Sequence, residues 1–87
     1  MATIYNYTNK TGTLIGNYVK NIKNIMFYAL YDISVNDAAT AATQLAKSYQ
    51  MPVVVKFHNT EINVPYQNFQ TPGVQDIVNA YYYGVSR

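Results

Sequence analysis

One stretch of the chain, Ile25-Met26-Phe27-Tyr28-Ala29-Leu30-Tyr31-Asp32-Ile33, is apolar or aromatic at every position but Asp32. It is too short for a buried helix and rich in the β-branched and aromatic residues that favour strands. Its lack of alternation reads as a strand covered on both faces. Such a strand belongs in the middle of a sheet, so the rest of the chain is read as what pairs with it and what covers it.

The segment that follows carries the clearest helix signal. Ser34 can cap free backbone amides, and Asp37 in the first turn suits the positive end of the helix dipole. Val35, Ala38, Ala39, Ala42, Leu45, Ala46 and Tyr49 then recur at helical spacing, and Met51-Pro52 ends the element. An alanine-rich face implies a close approach to the sheet. Val53, Val55 and Phe57 next alternate with Val54, Lys56 and His58, and Ile62, Val64 and Tyr66 alternate after Asn59-Thr60. A tight turn at Asn59-Thr60 predicts Phe57 opposite Ile62 and Val55 opposite Val64, with Lys56 opposite Asn63 and His58 opposite Glu61 on a polar face. Pro65 confines the second strand to an edge or ends it. Gln67–Gln70 reads as a polar connector, after which Thr71 caps and Pro72 opens a last helix with a Val74, Ile77, Val78, Tyr81 and Val85 stripe and a stop at Gly84.

Ahead of the apolar run, Thr3–Thr8 is strand-prone with Tyr5 and Tyr7 on one side, and Asn9-Lys10-Thr11-Gly12 reads as a turn. From Thr13, Leu14, Ile15, Tyr18, Val19 and Ile22 fit a helical stripe over 13–23. Gly16 and Asn17 weaken that helix and leave a second strand as the other reading. The expected class is therefore α+β, a small single-layer and mostly antiparallel sheet packed against two or three helices in the order β-(α)-β-α-β-β-α. At 87 residues the chain is too short for two cores, so residues 1–87 read as a single domain.

Catalytic and metal chemistry find no foothold in the pattern. There is no cysteine and only one histidine, and Asp32, Asp37, Glu61 and Asp76 lack ligand spacing, so no metal site and no cofactor is expected. No serine lies in a nucleophile elbow, and Gly12, Gly16, Gly73 and Gly84 are too scattered for a phosphate-cradling loop. His58, beside a hairpin turn, reads as a loose partner of Glu61 and not as a catalytic base. The expectation is a protein that is not an enzyme. The amino terminus lacks a basic region followed by an apolar run, and no stretch is long enough to span a membrane, so no membrane contact and a cytoplasmic location are expected. On that reading the acceptor-type triplets Asn6-Tyr7-Thr8 and Asn9-Lys10-Thr11 are chance.

What remains is binding. Ten tyrosines and no tryptophan supply large contact area with a polar tip, while only 11% of residues are charged. With so few charges, a monomer would leave aromatic surface poorly solvated, which points to a homo-oligomer. Tyr81-Tyr82-Tyr83 cannot all face one core, and Tyr82 and Tyr83 are the candidate interface. In size and lack of catalytic apparatus the chain resembles small accessory proteins, those of phages included. The expectation is a homo-oligomeric binding protein, of inhibitor or sequestering type, acting on a protein or small-molecule partner. Lys20, Lys23, Lys56, His58 and Asn63 are the candidate contacts. The alternative is a nucleotide or nucleic-acid binder, with exposed tyrosines stacking on bases and Lys20, Lys23 or Lys56 meeting phosphate.

Overall fold

In the computed structural model, which describes residues 3–85, the apolar run forms the central strand of a five-stranded sheet. The elements are β1 (Ile4–Thr8), β2 (Leu14–Lys20), β3 (Ile25–Ala29), α1 (Val35–Tyr49), β4 (Val53–Phe57), β5 (Thr60–Val64) and α2 (Val74–Val85). Strands lie side by side in chain order, antiparallel throughout except for the β3–β4 pair. A parallel pair cannot be closed by a tight turn, and α1 is the crossover that joins β3 to β4.

The helix read over 13–23 is a strand. Leu14, Ile15, Tyr18, Val19 and Ile22 do recur at helical spacing, yet Ile22 sits 95% exposed in the turn after β2, so the stripe is no core face. Gly16 decides the matter, because its α-carbon lies against the backbone of Tyr28 and Ala29 on β3, an approach that only a glycine in a neighbouring strand allows. Asn9 shapes the preceding turn: its Oδ1 accepts from the amides of Thr11 and Thr13 at 3.0 and 2.9 Å, while Gly12 takes a positive φ of 87°. The order over the described residues is thus β-β-β-α-β-β-α, with two helices.

Both helices lie on one face of the sheet. α1 packs across β4, β3 and β2, and α2 packs on α1 and β5. Ile15, Tyr18, Ile25, Phe27, Val53, Val55, Phe57, Ile62 and Val64 meet the apolar faces of the two helices in one core. α1 begins as its sequence implies, with the Ser34 hydroxyl accepting from the Asp37 amide at 3.1 Å. Ala38, Ala42 and Ala46 lie fully buried against the sheet. β3 is consequently covered on one side only. Ile25 and Phe27 are buried, but Met26 is half-buried and Tyr28 is 45% exposed, which corrects the expectation of a strand covered on both faces.

The β4–β5 hairpin keeps its faces and changes its register. Val55 lies opposite Ile62, Val53 opposite Val64 and Lys56 opposite Glu61, with His58 and Asn59 forming the turn. The shift is two residues, so side-chain parity is preserved along the strands: Val55, Phe57, Ile62 and Val64 are buried while Lys56, Glu61 and Asn63 face away. His58, expected opposite Glu61 on the polar face, is instead a turn residue bonded to the Tyr31 carbonyl, and Glu61 pairs with Lys56. The connector 67–70 is a second tight turn, closed by hydrogen bonds between Gln67 and Gln70 in both directions, with Asn68 and the exposed Phe69 at positive φ. α2 starts two residues later than Pro72, the Gly73 carbonyl accepting from the Ile77 amide, and it continues through Gly84 instead of stopping there. Ile77 and Val78 carry its buried stripe; the side chain of Val85 lies outside the described residues.

Candidate functional site

With both helices on one side, the opposite side of the sheet has no cover among the described residues, and the strand registers organise that side into two rows. The first crosses all five strands through Asn6, Asn17, Tyr28, Lys56 and Glu61, each opposite the next. Its outer members are paired: the Asn17 amide donates to Asn6 Oδ1 at 2.6 Å, and the Lys56 ammonium forms an ion pair with the Glu61 carboxylate. Tyr28 stands between the two pairs at the centre of the face. The second row runs through Ile4, Val19, Met26, Val54 and Asn63, apolar until its last member. A shallow depression lined by Asn24, Pro52, Val54, Asn63 and Pro65 continues the apolar row past the sheet.

This face is chemically quiet. An amide pair, a neutralised ion pair, one phenol and a row of alkyl groups offer hydrogen bonds and apolar area but no nucleophile poised on a base. Among the described residues no group of three or more His, Asp and Glu side chains is gathered to hold a metal ion. No helix among them is long and apolar enough to cross a membrane.

A second concavity, a cleft of about 520 Å³, lies between the start of α1, the β4–β5 turn and α2, lined among others by Ser34, Asn36, His58, Gln75, Tyr81 and Tyr82. His58 is held there by two neighbouring rings and at one nitrogen. Its ring lies 4.2 Å from that of Phe57 and 4.6 Å from that of Tyr31. Nε2 lies 2.8 Å from the Tyr31 carbonyl oxygen. A carbonyl can only accept, so Nε2 carries the proton in this contact. The residue also closes the hairpin turn with φ of 53°, a conformation that histidine tolerates better than most non-glycine residues.

The residues singled out from sequence fall in separate places. Lys56 and Asn63 lie on the uncovered face, in adjoining rows. His58 and Tyr82 border the cleft, and Tyr83 is exposed on α2. Lys20 and Lys23 sit at the end of the sheet opposite His58, Lys20 with its ammonium 5.1 Å from the Tyr49 ring centroid. Lys56 lies apart from these two lysines and already has Glu61 as its counter-ion. Asn6, Asn17, Tyr28, Ile4, Val19, Met26 and Val54 were not distinguished by sequence reasoning, because their alignment depends on five strands being in register.

Three tyrosines on the helix side account for part of the unusual composition. Tyr5 stacks on Tyr18 at 5.3 Å, and the hydroxyls of Tyr18 and Tyr49 hydrogen-bond at 2.9 Å. Burial, followed by the Tyr49 hydrogen bond and the neighbouring phenols, pushes the Tyr18 hydroxyl up to about 12 from an ordinary 10.0. The folded state therefore favours the protonated phenol. The stabilisation is complete below pH 10.0 and is lost as pH rises from there through about 12. Tyrosine ring-carbon NMR is expected to show the Tyr18 resonance still unshifted at a pH where free tyrosine, with a pKa of about 10, has ionised. Titration of Tyr18 at the pH of free tyrosine would contradict its burial against Tyr49.

No protein-family model matches the chain, and no curated protein or solved structure matches it significantly.

Proposed function

We propose that the chain is a non-enzymatic binding protein that works as a homo-oligomer, holding a protein partner against the uncovered face of its sheet in the manner of an inhibitor or sequestering protein. The observation that carries this reading is the row Ile4, Val19, Met26 and Val54, apolar side chains set beside Tyr28 on the side of the sheet away from both described helices. A sheet normally hides one face and solvates the other with polar side chains. Here the second face mixes alkyl groups with a central tyrosine and self-neutralised polar pairs. That is the composition of an interface core, low in free charge and centred on an aromatic anchor.

The test compares the wild-type protein with Met26→Thr/Tyr28→Thr as bait in an extract of the cells that produce it. Threonine keeps strand preference while removing the apolar and aromatic area, so folding is retained. A partner captured by the wild type is expected to bind the variant roughly tenfold more weakly or worse. Equal binding by both would end the proposal for this face. Steep weakening with added salt would instead favour a nucleic-acid partner met by lysines.

A further inference from the structure

We propose that β1 is where two copies of the chain join, the two strands pairing antiparallel about a two-fold axis at Asn6 so that two five-stranded sheets become one. The proposal rests on the oligomeric part of the reading above and gives it a location other than the α2 tyrosines.

The sheet has two edges, and they are not alike. β5 carries Glu61, is followed at once by Pro65 and has α2 packed against it; a charge, a proline and a covering helix are the usual devices that keep an edge from pairing with another chain. β1 has no charge and no proline, and among the described residues β2 is its only neighbour in the sheet. A bulge also protects edges, but the bulge near Tyr7 and Thr8 belongs to β2. Gly16 faces Tyr7 and Leu14 faces Thr8, so Ile15 is the extra residue and the outer edge of β1 stays regular.

The order of residues in β1 names the occupant. Ile4-Tyr5-Asn6-Tyr7-Thr8 reads the same in both directions by class: β-branched, tyrosine, asparagine, tyrosine, β-branched. Antiparallel pairing about Asn6 sets Tyr5 opposite Tyr7 of the second copy, Ile4 opposite Thr8 and Asn6 opposite its own counterpart. Each face thereby receives matched neighbours twice over, which is the self-complementarity of an isologous contact. An unrelated strand would have no use for the palindrome. The tyrosines are already ordered for the contact. Tyr5 stacks on Tyr18, while Tyr7 meets the Phe27 ring edge-on at 6.1 Å and donates to Gln44 Oε1 at 3.0 Å, so little side-chain freedom is left to lose on association. The uncovered face becomes continuous across the axis, with the Asn6–Asn17 pair repeated on the other side.

Light scattering at high micromolar concentration tests this with exposed substitutions. The wild type is expected at twice the mass of one 9.9 kDa chain. Ile4→Lys/Thr8→Lys sets lysine against lysine at two places across the axis and is expected to give the mass of a single chain. Ile4→Lys/Thr8→Glu sets lysine against glutamate and is expected to restore the double mass. Within one chain the two positions lie roughly 13 Å apart along the strand, so the rescue reports contact between copies. Tyr82→Ala/Tyr83→Ala is expected to leave the mass unchanged. A wild type of single-chain mass would overturn both the pairing and the oligomeric reading. A multiple that Ile4→Lys/Thr8→Lys leaves intact, or that Ile4→Lys/Thr8→Glu fails to restore, would overturn the pairing alone.

Discussion

Phe27→Ala is expected to lower the stability of the fold by about 4 kcal/mol, the loss typical of a phenylalanine removed from a core that cannot close around the gap. Phe27 has no solvent exposure and lies on the central strand, with Tyr18 beside it on β2 and Val55 on β4. The Tyr7 ring meets its edge and α1 lies over its strand, so deletion of the ring leaves a hole bounded by three strands and a helix. Domains of this size are stable by roughly 5–15 kcal/mol in all, so a large part of the margin is lost. Urea unfolding should show a much lower midpoint with an unchanged slope. A loss below about 1 kcal/mol would mean that Phe27 is not at the centre of the core.

The second large effect belongs to the smallest residue. A β-carbon added at Gly16 would strike the Tyr28 carbonyl oxygen, with Ala29 Cα and Phe27 Cζ each 3.0 Å away. The atom struck first is backbone, which cannot swing aside as a side chain does. Gly16→Ala is therefore expected to cost about 3 kcal/mol, at the upper end for overpacking. Thermal unfolding should report a drop of roughly 15 °C for a domain of this length. Relief by separating β2 from β3 would displace Tyr28, so the same substitution is expected to impair binding at the uncovered face. An unchanged melting temperature would show that β2 does not approach β3 as described.

Some of this was legible in the sequence because it is local. Ser34 caps α1 by its own hydroxyl, and alanines repeating at helical spacing can only form a close-packed helix face. The hairpin faces were legible for a similar reason: a turn at His58-Asn59 instead of Asn59-Thr60 moves the register by two, and strand periodicity of two leaves the strand side chains on their sides, while His58, drawn into the turn, leaves the polar face for the cleft. The errors arise where contacts between distant residues decide. Segment 13–23 has helical apolar spacing, and what makes it a strand is the backbone of Tyr28 and Ala29 pressing on Gly16, more than ten residues away. β3 looked covered on both faces because Met26 and Tyr28 are large and apolar, but both described helices lie on the other side of the sheet, which leaves Met26 half-buried and Tyr28 exposed. The two rows of the uncovered face could not be read at all, since Asn6, Asn17, Tyr28, Lys56 and Glu61 align only after four strand pairings are set.

Whether that face holds the partner is tested most directly by site-specific photo-crosslinking in the cells that produce the protein. A photoreactive benzoylphenylalanine would replace Tyr28, and in separate samples Tyr82 at the cleft and Lys23 at the end of the sheet. Tyr28 is exposed enough to accept the larger ring without disturbing the core. The expected result is a covalent adduct with one partner protein from position 28 and little or none from positions 82 and 23. An adduct formed from position 82 or 23 while position 28 stays unreacted would contradict the central claim and move the binding site to the cleft or to the lysine end of the sheet.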